Sequence, residues 1–323
     1  MTRLHEADGA RDAAHRDARQ RPAGALALAG VTPHKSKGQN FLVQPRVADR
    51  IVDAAEIVSG DDVIEIGPGL GILSERLARQ PLRRLLLIEL DDRLASRLRD
   101  LFVDDDRVIV VNRDFLTLAP HDLPGLGMTS SSSVDQDSME RRAPLRVVAN
   151  LPFNVAAAIL ERLCAMQPVI ARMVLMFQRE VAERIRALPG SSEYGALSAF
   201  TSLYWKIDSH FRVVAGSFHP KPKVDAEVLT FAPRRPLPFM PAEERALLAT
   251  VRAAFSAPRK TLRNAIGRAL ALDPAELESA FAVASIDPMA RAATLGVEDF
   301  VRLARALHRP LNADKLLTAD RDA

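Results

Sequence analysis

Asp62-Val-Ile-Glu-Ile66, followed directly by Gly67-Pro-Gly-Leu-Gly71, is the stretch that decides the fold. The first five residues read as a short buried strand and the glycines as a tight turn. Leu73, Leu77 and Ala78 then fall on one face of a helix. Strand, glycine turn and helix form the nucleotide-binding unit of doubly wound α/β proteins, where backbone must approach a ligand closely. A dinucleotide fingerprint would place Gly or Ala at position 72. Here Ile72 stands there, the third glycine comes one place early, and Glu65 adds an acid at the strand end. That spacing disfavours a pyrophosphate and suits a ligand with no phosphate, an adenosine carrying a sulfonium amino acid: S-adenosylmethionine.

Downstream, three more strands end in polar residues. Arg84-Leu-Leu-Leu-Ile-Glu-Leu90 brings Glu89 to the position, about twenty residues past the first glycine, where a carboxylate accepts from a ribose diol. Val108-Ile-Val-Val111 leads to Asp114, an acceptor for an adenine amino group, with Phe115 or Leu116 expected to cover the ring. Leu145-Arg-Val-Val-Ala149 delivers Asn150-Leu151-Pro152-Phe153. An amide and a backbone carbonyl hold an amino group, Pro fixes the chain direction, and the aromatic ring stacks on a flat base. Four strand ends therefore converge on one crevice, where open α/β sheets bind ligands.

Composition sets the outer bounds. The 323 residues are 48% hydrophobic, enough for a full core and two domains. A single cysteine, Cys164, excludes an internal disulfide and sits in an apolar helical stretch as a core residue. The seven His lack ligand spacing, so no metal site is expected. No run approaches membrane-spanning length and no apolar segment follows the N-terminus, which points to a cytoplasmic protein. The net charge is only +3, so basic residues must cluster to matter. Arg259, Lys260 and Arg263 recur along a helix expected over 258–271, and Lys221 and Lys223 flank prolines in an earlier loop. These five are the candidate RNA contacts.

Residues 1–30 lack periodicity and read as a disordered extension, with Glu6, Asp8, Asp12 and Asp17 arguing against a transit peptide. A catalytic domain is expected over 31–233, its N-terminal arm and helix at 35–58 capping the donor and a flexible Ser-rich insertion at 125–143. Later strands are expected at Met173 to Phe177, Ile207 to Val214 and Ala226 to Phe231. A proline-rich linker then leads to a helical domain at 242–309, with helices near 242–254, 258–271, 274–283 and 297–308, and a frayed tail at 310–323.

Taken together, these residues resemble the small-subunit ribosomal RNA adenine N6,N6-dimethyltransferases, relatives of the erythromycin-resistance rRNA methylases and the mitochondrial transcription factor B proteins. The resemblance runs from about Lys35 to about Leu307 and rests on Gly38-Gln-Asn-Phe-Leu42, Glu65 to Gly71, Arg113-Asp114, Asn150 to Phe153, Ser217 to Asp225, Arg259 to Asn264 and Ile286-Asp-Pro288. It implies an α/β fold, the Rossmann-like sheet of class I S-adenosylmethionine-dependent methyltransferases with a small all-α C-terminal domain. It implies that Asn40, Leu42, Gly67, Glu89, Asp114 and Asn150 bind S-adenosylmethionine as methyl donor. The implied reaction is dimethylation of two adjacent adenosines in the 3′-terminal hairpin loop of small-subunit rRNA, in a pre-30S particle and by a monomer. Three departures stand out. Phe153 replaces the usual Tyr, Asn154-Val-Ala-Ala157 lacks a Ser or Thr, and His219-Pro-Lys221 adds charge to a proline run. Two other readings remain: a resistance methylase of large-subunit rRNA, and a non-catalytic ribosome-assembly factor retaining the fold.

Overall fold

The computed structural model describes residues 40–118 and 144–307. The expected N-terminal extension, the 125–143 insertion and the C-terminal tail lie outside the described residues.

Strands β2 (Asp62–Ile66), β3 (Arg84–Ile88), β4 (Val108–Val111), β5 (Leu145–Asn150), β6 (Ile170–Gln178), β7 (Trp205–Val213) and β9 (Ala226–Pro233) form one sheet in the order β4-β3-β2-β5-β6-β9-β7. The pairs from β4 across to β6 are parallel, and β9 runs antiparallel to β6. Every residue of β2 is buried, as are Leu85 to Ile88 of β3. Strands covered on both faces need continuous apolar runs, which is why periodicity in these segments is absent and length identifies them. A separate two-stranded ribbon joins β1 (Phe41–Leu42) to β8 (Phe218–His219), pairing Phe41 with His219 and Leu42 with Phe218.

Helix α1 (Pro45–Ala54) starts on a proline and buries Ala48, Ile51, Val52 and Ala54. Its last carbonyls would be orphaned, but two arginines from neighbouring strands reach them. Arg172 Nε donates to the Ala54 carbonyl and Arg146 Nη1 to that of Ala55, both at 2.7 Å. Arg146 also pairs with the fully buried Asp61, so one side chain ties the start of β5 to the end of α1 and the entry to β2. Helix α2 (Ser74–Leu77) follows the glycine turn. Helix α3 (Asp92–Leu101) is capped by Asp91, whose carboxylate accepts from the Arg93 and Leu94 N–H groups. Helix α4 (Ala156–Ala165) buries Cys164, as its apolar stretch requires.

Two further helices, α5 (Arg179–Ile185) and α6 (Ala196–Tyr204), precede four more: α7 (Glu244–Phe255), α8 (Leu262–Leu270), α9 (Pro274–Ala284) and α10 (Val297–Leu307). The described residues form two compact units. One comprises 40–179 with Asp208–Ala232; the other comprises Glu180–Ile207 with 233–307. Glu180–Ile207 thus groups with the helical unit, whereas the sequence places it within the catalytic domain. The cause is long-range bonding: the Tyr194 hydroxyl donates to the Leu295 carbonyl at 2.8 Å, and the Tyr204 hydroxyl to Glu244 at 2.6 Å. Among the described residues no helix is long and apolar enough to cross a membrane.

Removing one partner of a buried ion pair leaves the other uncompensated. Arg146→Ala is expected to lower unfolding free energy by about 3–5 kcal/mol, read from urea denaturation. A loss within ~1 kcal/mol would show Asp61 to be independent of this pair.

Candidate active site

The glycine turn sits where β2 ends. Gly67 and Gly69 have φ of 66° and 58°, in the left-handed region that side chains disfavour. A Cβ on Gly69 would lie 2.9 Å from Cδ1 of Phe41, so the ring of β1 packs directly on bare backbone. Glu89, just beyond β3, fixes the same turn from the other side. Its Oε2 accepts from the Gly69 N–H at 3.0 Å and its Oε1 from the Asp91 N–H at 2.9 Å. Both oxygens retain lone pairs for a ligand diol.

Glu65 lies deeper, 1% exposed, with the Ser74 hydroxyl donating to its Oε2 at 2.6 Å. Burial pushes its carboxyl up to about 8; the Ser74 bond opposes this and the neighbouring Glu89 charge adds to it. Burial also raises Glu89, against the stabilising N–H groups of Asp91 and Gly69. Near neutral pH, Glu65 is therefore an uncharged acid beside a second carboxyl.

Asn150 ends β5 beside them. Its Nδ2 donates to the Asn40 carbonyl at 3.1 Å, 110 residues away in sequence. With the nitrogen engaged, Oδ1 points elsewhere: it is buried and accepts no hydrogen bond among the described residues. A buried amide oxygen without a donor costs free energy, on the order of 1–3 kcal/mol, and such orphans mark functional positions. Leu151 is buried, Pro152 lies 3.7 Å from where a Gly67 Cβ would be, and Phe153 is half-buried, its ring meeting Phe218 edge-on at 6.5 Å and 66°.

A cavity of about 220 Å³ opens over these groups, walled by Asn40, Gly67, Glu89 and Asn150 together with Leu151, Pro152 and Phe153. A smaller recess, walled by Leu42 and Glu65 among others, shares Phe41, Gly67, Gly69 and Asn150 with it. Asp114 is on neither wall. One of its carboxylate oxygens accepts from the Leu116 N–H at 2.9 Å, capping a short 3₁₀ turn that sends Phe115 into the core at 5% exposed. Neither Phe115 nor Leu116 lines the cavity. Leu90 does, 59% exposed, and with Leu94 supplies the apolar wall that sequence reasoning assigned to Phe115 or Leu116. A lone leucine after Glu89 carries no pattern that marks it in the sequence.

The five basic candidates are all exposed. Lys221 and Lys223 lie between β8 and β9. The helix expected over 258–271 begins only at Leu262, so Arg259 and Lys260 stand in the turn before it, not along its face. Thr261 is extended, and the first helical N–H groups donate to carbonyls of the Ile286-Asp-Pro288 region: Leu262 to Ala290 at 2.8 Å and Arg263 to Pro288 at 3.0 Å. Arg263 is in the first turn and pairs with Glu278 at 2.9 Å.

Comparison with known proteins bears on this site directly. The family described as "Ribosomal RNA adenine dimethylase" matches residues 30–309. The chain belongs to this family. A ribosomal RNA small subunit methyltransferase A of Geobacter metallireducens is 38% identical over 279 residues, covering 86% of this chain and 96% of that protein. The protein of the same name from Moorella thermoacetica is 38% identical over 290 residues, covering 88% and 97%. Among solved structures, the 23S rRNA methyltransferase ErmE is 25% identical with a TM-score of 0.59, covering 84% of this chain and all of that one. A dimethyladenosine transferase from Plasmodium falciparum, at 24% identity and a TM-score of 0.64 over 82% and 96%, shares the fold. The α/β methyltransferase fold and the S-adenosylmethionine donor read from the sequence both hold.

The cavity fits the family's donor on its own evidence. Among the described residues, the ionisable groups on its walls and those of the recess are Glu65, Glu89 and Asp91, all acids, which suits a cationic ligand without phosphate.

Because the Glu65 carboxyl is raised in the folded state, the stability it contributes is fully present below its ordinary 4.5 and is lost as pH rises through about 8. Glu65→Gln, a neutral isostere, is expected to gain on the wild type progressively across that window in urea titrations. Parallel stability curves for the two proteins would contradict the assignment.

Proposed function

We propose that this chain dimethylates the N6 amines of two adjacent adenosines in the 3′-terminal hairpin loop of small-subunit rRNA, acting in the cytoplasm as a monomer on a pre-30S particle. The observation that carries the reading is the buried Oδ1 of Asn150, which has no donor among the described residues and lines the cavity. The small-subunit relatives, at 34–38% identity, support this substrate over the large-subunit one represented by ErmE at 25%. The complete Asn150 to Phe153 loop argues against a non-catalytic factor.

S-adenosylmethionine, when bound, supplies an electrophilic methyl group on a sulfonium. Gly67 would let backbone approach it, Glu89 would accept from its ribose, and Asn40, Leu42 and Asn150 would hold its amino-acid end. Asp114, which lines neither the cavity nor the recess, would reach the adenine amino group only from beyond that wall, with the carboxylate oxygen not bonded to Leu116. The residues assigned to adenine, ribose, amino-acid end and target amine would then follow the strand order β4-β3-β2-β5.

The target N6 is a weak nucleophile because its lone pair is delocalised into the ring. In the first transfer Asn150 Oδ1 and the Leu151 carbonyl accept the two N–H bonds, favouring a pyramidal nitrogen and stabilising the positive charge that grows there; one proton then leaves to solvent, and in the second transfer the single remaining N–H keeps one of these acceptors. Pro152 fixes the direction of the loop, and Phe153 stacks on the extruded base, a contact worth about 1–3 kcal/mol. Stacking does not need the phenol hydroxyl absent here. Lys221, Lys223, Arg259, Lys260 and Arg263 contact phosphates. Arg263 contributes less alone, because Glu278 already engages it.

Asn150→Ala should abolish methyl incorporation into unmodified small-subunit RNA while donor affinity, measured by calorimetry, falls far less. Near-normal turnover would remove Asn150 from the chemistry. Phe153→Tyr is expected to keep activity and Phe153→Ala to lose about 10-fold or more in kcat/KM; equal losses would show that stacking is not the requirement. Changing Arg259, Lys260 and Arg263 together to Glu should weaken RNA binding and flatten its dependence on log salt by about 2 to 3. An unchanged salt slope would place the RNA elsewhere.

A further inference from the structure

The backbone pairing of β3 with β4 ends just before the cavity begins. The last pair in register is Ile88 with Val111, and the Glu89 N–H then donates to the Val111 carbonyl at 3.0 Å. A parallel ladder carried one step further would bring the next N–H of the β4 chain to the Glu89 carbonyl. Here that carbonyl accepts from a side chain. Asn112 Nδ2 donates to the Glu89 carbonyl at 3.0 Å and, more weakly, to the Leu90 carbonyl at 3.4 Å. With two carbonyls as neighbours, only the nitrogen end of this amide can face them.

The segment held in this way supplies one side of the cavity, through Glu89, Leu90 and Leu94. Their supports differ. The Glu89 carboxylate is gripped on its own account by the N–H groups of Gly69 and Asp91, and Leu94 is buried on α3. Leu90 is 59% exposed, so packing does not place its side chain; the path of its backbone does. The strand that borders this path, β4, is the edge of the sheet among the described residues and is half-buried throughout. Its last backbone bond to the β3 chain falls short of Leu90, and the Asn112 amide spans the gap.

We infer that Asn112 is a positioning residue for the donor's nucleoside. Its side-chain amide extends the β3–β4 ladder past the strand ends and holds Glu89-Leu90 in the path that sets Leu90 over the cavity. Asn112 acts through that segment and not on the donor, because it stands on the wall of neither the cavity nor the recess. The inference rests on the reading of Glu89 as the ribose acceptor and adds the residue that shapes the apolar wall beside it. Aspartate has the same shape but no N–H, and would turn an oxygen on two carbonyl oxygens. The isosteric change is therefore the more severe one.

The test is steady-state kinetics of the full chain with S-adenosylmethionine and unmodified small-subunit RNA. Calorimetry accompanies it with S-adenosylhomocysteine and 5′-methylthioadenosine, which share the adenosine and differ at the other end. Asn112→Ala should raise the donor KM about 5-fold or more, and Asn112→Asp further, while kcat and the RNA KM change by less than about 2-fold. Both calorimetric ligands should weaken by the same factor, since the disturbed wall faces the part they share. Asn112→His carries an Nδ1–H as many bonds from Cβ as the amide nitrogen, and should restore most of the affinity. An unchanged donor KM in the alanine and aspartate variants, a fall in kcat at constant KM, or a histidine variant as weak as the alanine one would overturn the inference. If the alanine variant fails to fold, the comparison of aspartate with histidine decides it alone. Failure of the unaltered chain to bind either calorimetric ligand would instead overturn the reading of Glu89 and its cavity as the donor site.

Discussion

The hydrogen bond from the Asn150 amide nitrogen to the Asn40 carbonyl decides what the cavity offers. An asparagine can present either end of its amide, and only its partners choose which. With Nδ2 held by the arm, the oxygen is the end left over, and an oxygen is what an amine needs. The same arm places Phe41 against Gly69 and pairs with β8, so donor turn, target amide and the Phe218 ring in contact with Phe153 share one backbone ribbon. A change in the arm would be felt at all three.

The arrangement depends on a more general constraint. In a parallel sheet every strand finishes at the same edge, so the residues just past β2, β3 and β5 meet without any specific contact having to bring them together. The sheet can tolerate polar and strained features at that edge because its interior is apolar and continuous from β3 to β6. Positive-φ glycines, a buried amide oxygen with no donor among the described residues and two raised carboxyls are concentrated there. Such groups oppose folding, and their collection in one crevice is what a binding site requires.

Much of this was legible in the sequence because it is local. Asp62 to Gly71 announces itself through an apolar run cut by glycines, and Glu89 and Asn150 each stand at the end of a run of the same kind. What the sequence concealed is long-range. Helix α8 starts late because carbonyls of Pro288 and Ala290, more than a full helix away in the chain, take its first N–H groups. Residues 180–207 look like part of the sheet domain because strands flank them, yet Tyr194 and Tyr204 bond to partners some forty to a hundred positions later. The Asn40 to Asn150 bond joins an arm to a strand end, and no periodicity encodes it. The Leu90 wall was missed for a different reason: a single exposed leucine has no pattern.

The most direct measurement is to incubate the protein and S-adenosylmethionine with small ribosomal subunits from cells lacking the modification, and to map dimethyladenosine in the RNA by mass spectrometry. N6,N6-dimethylation of two adjacent adenosines in the 3′-terminal hairpin of the small-subunit RNA is the expected result. Methylation of large-subunit RNA instead, or none on either, would contradict it.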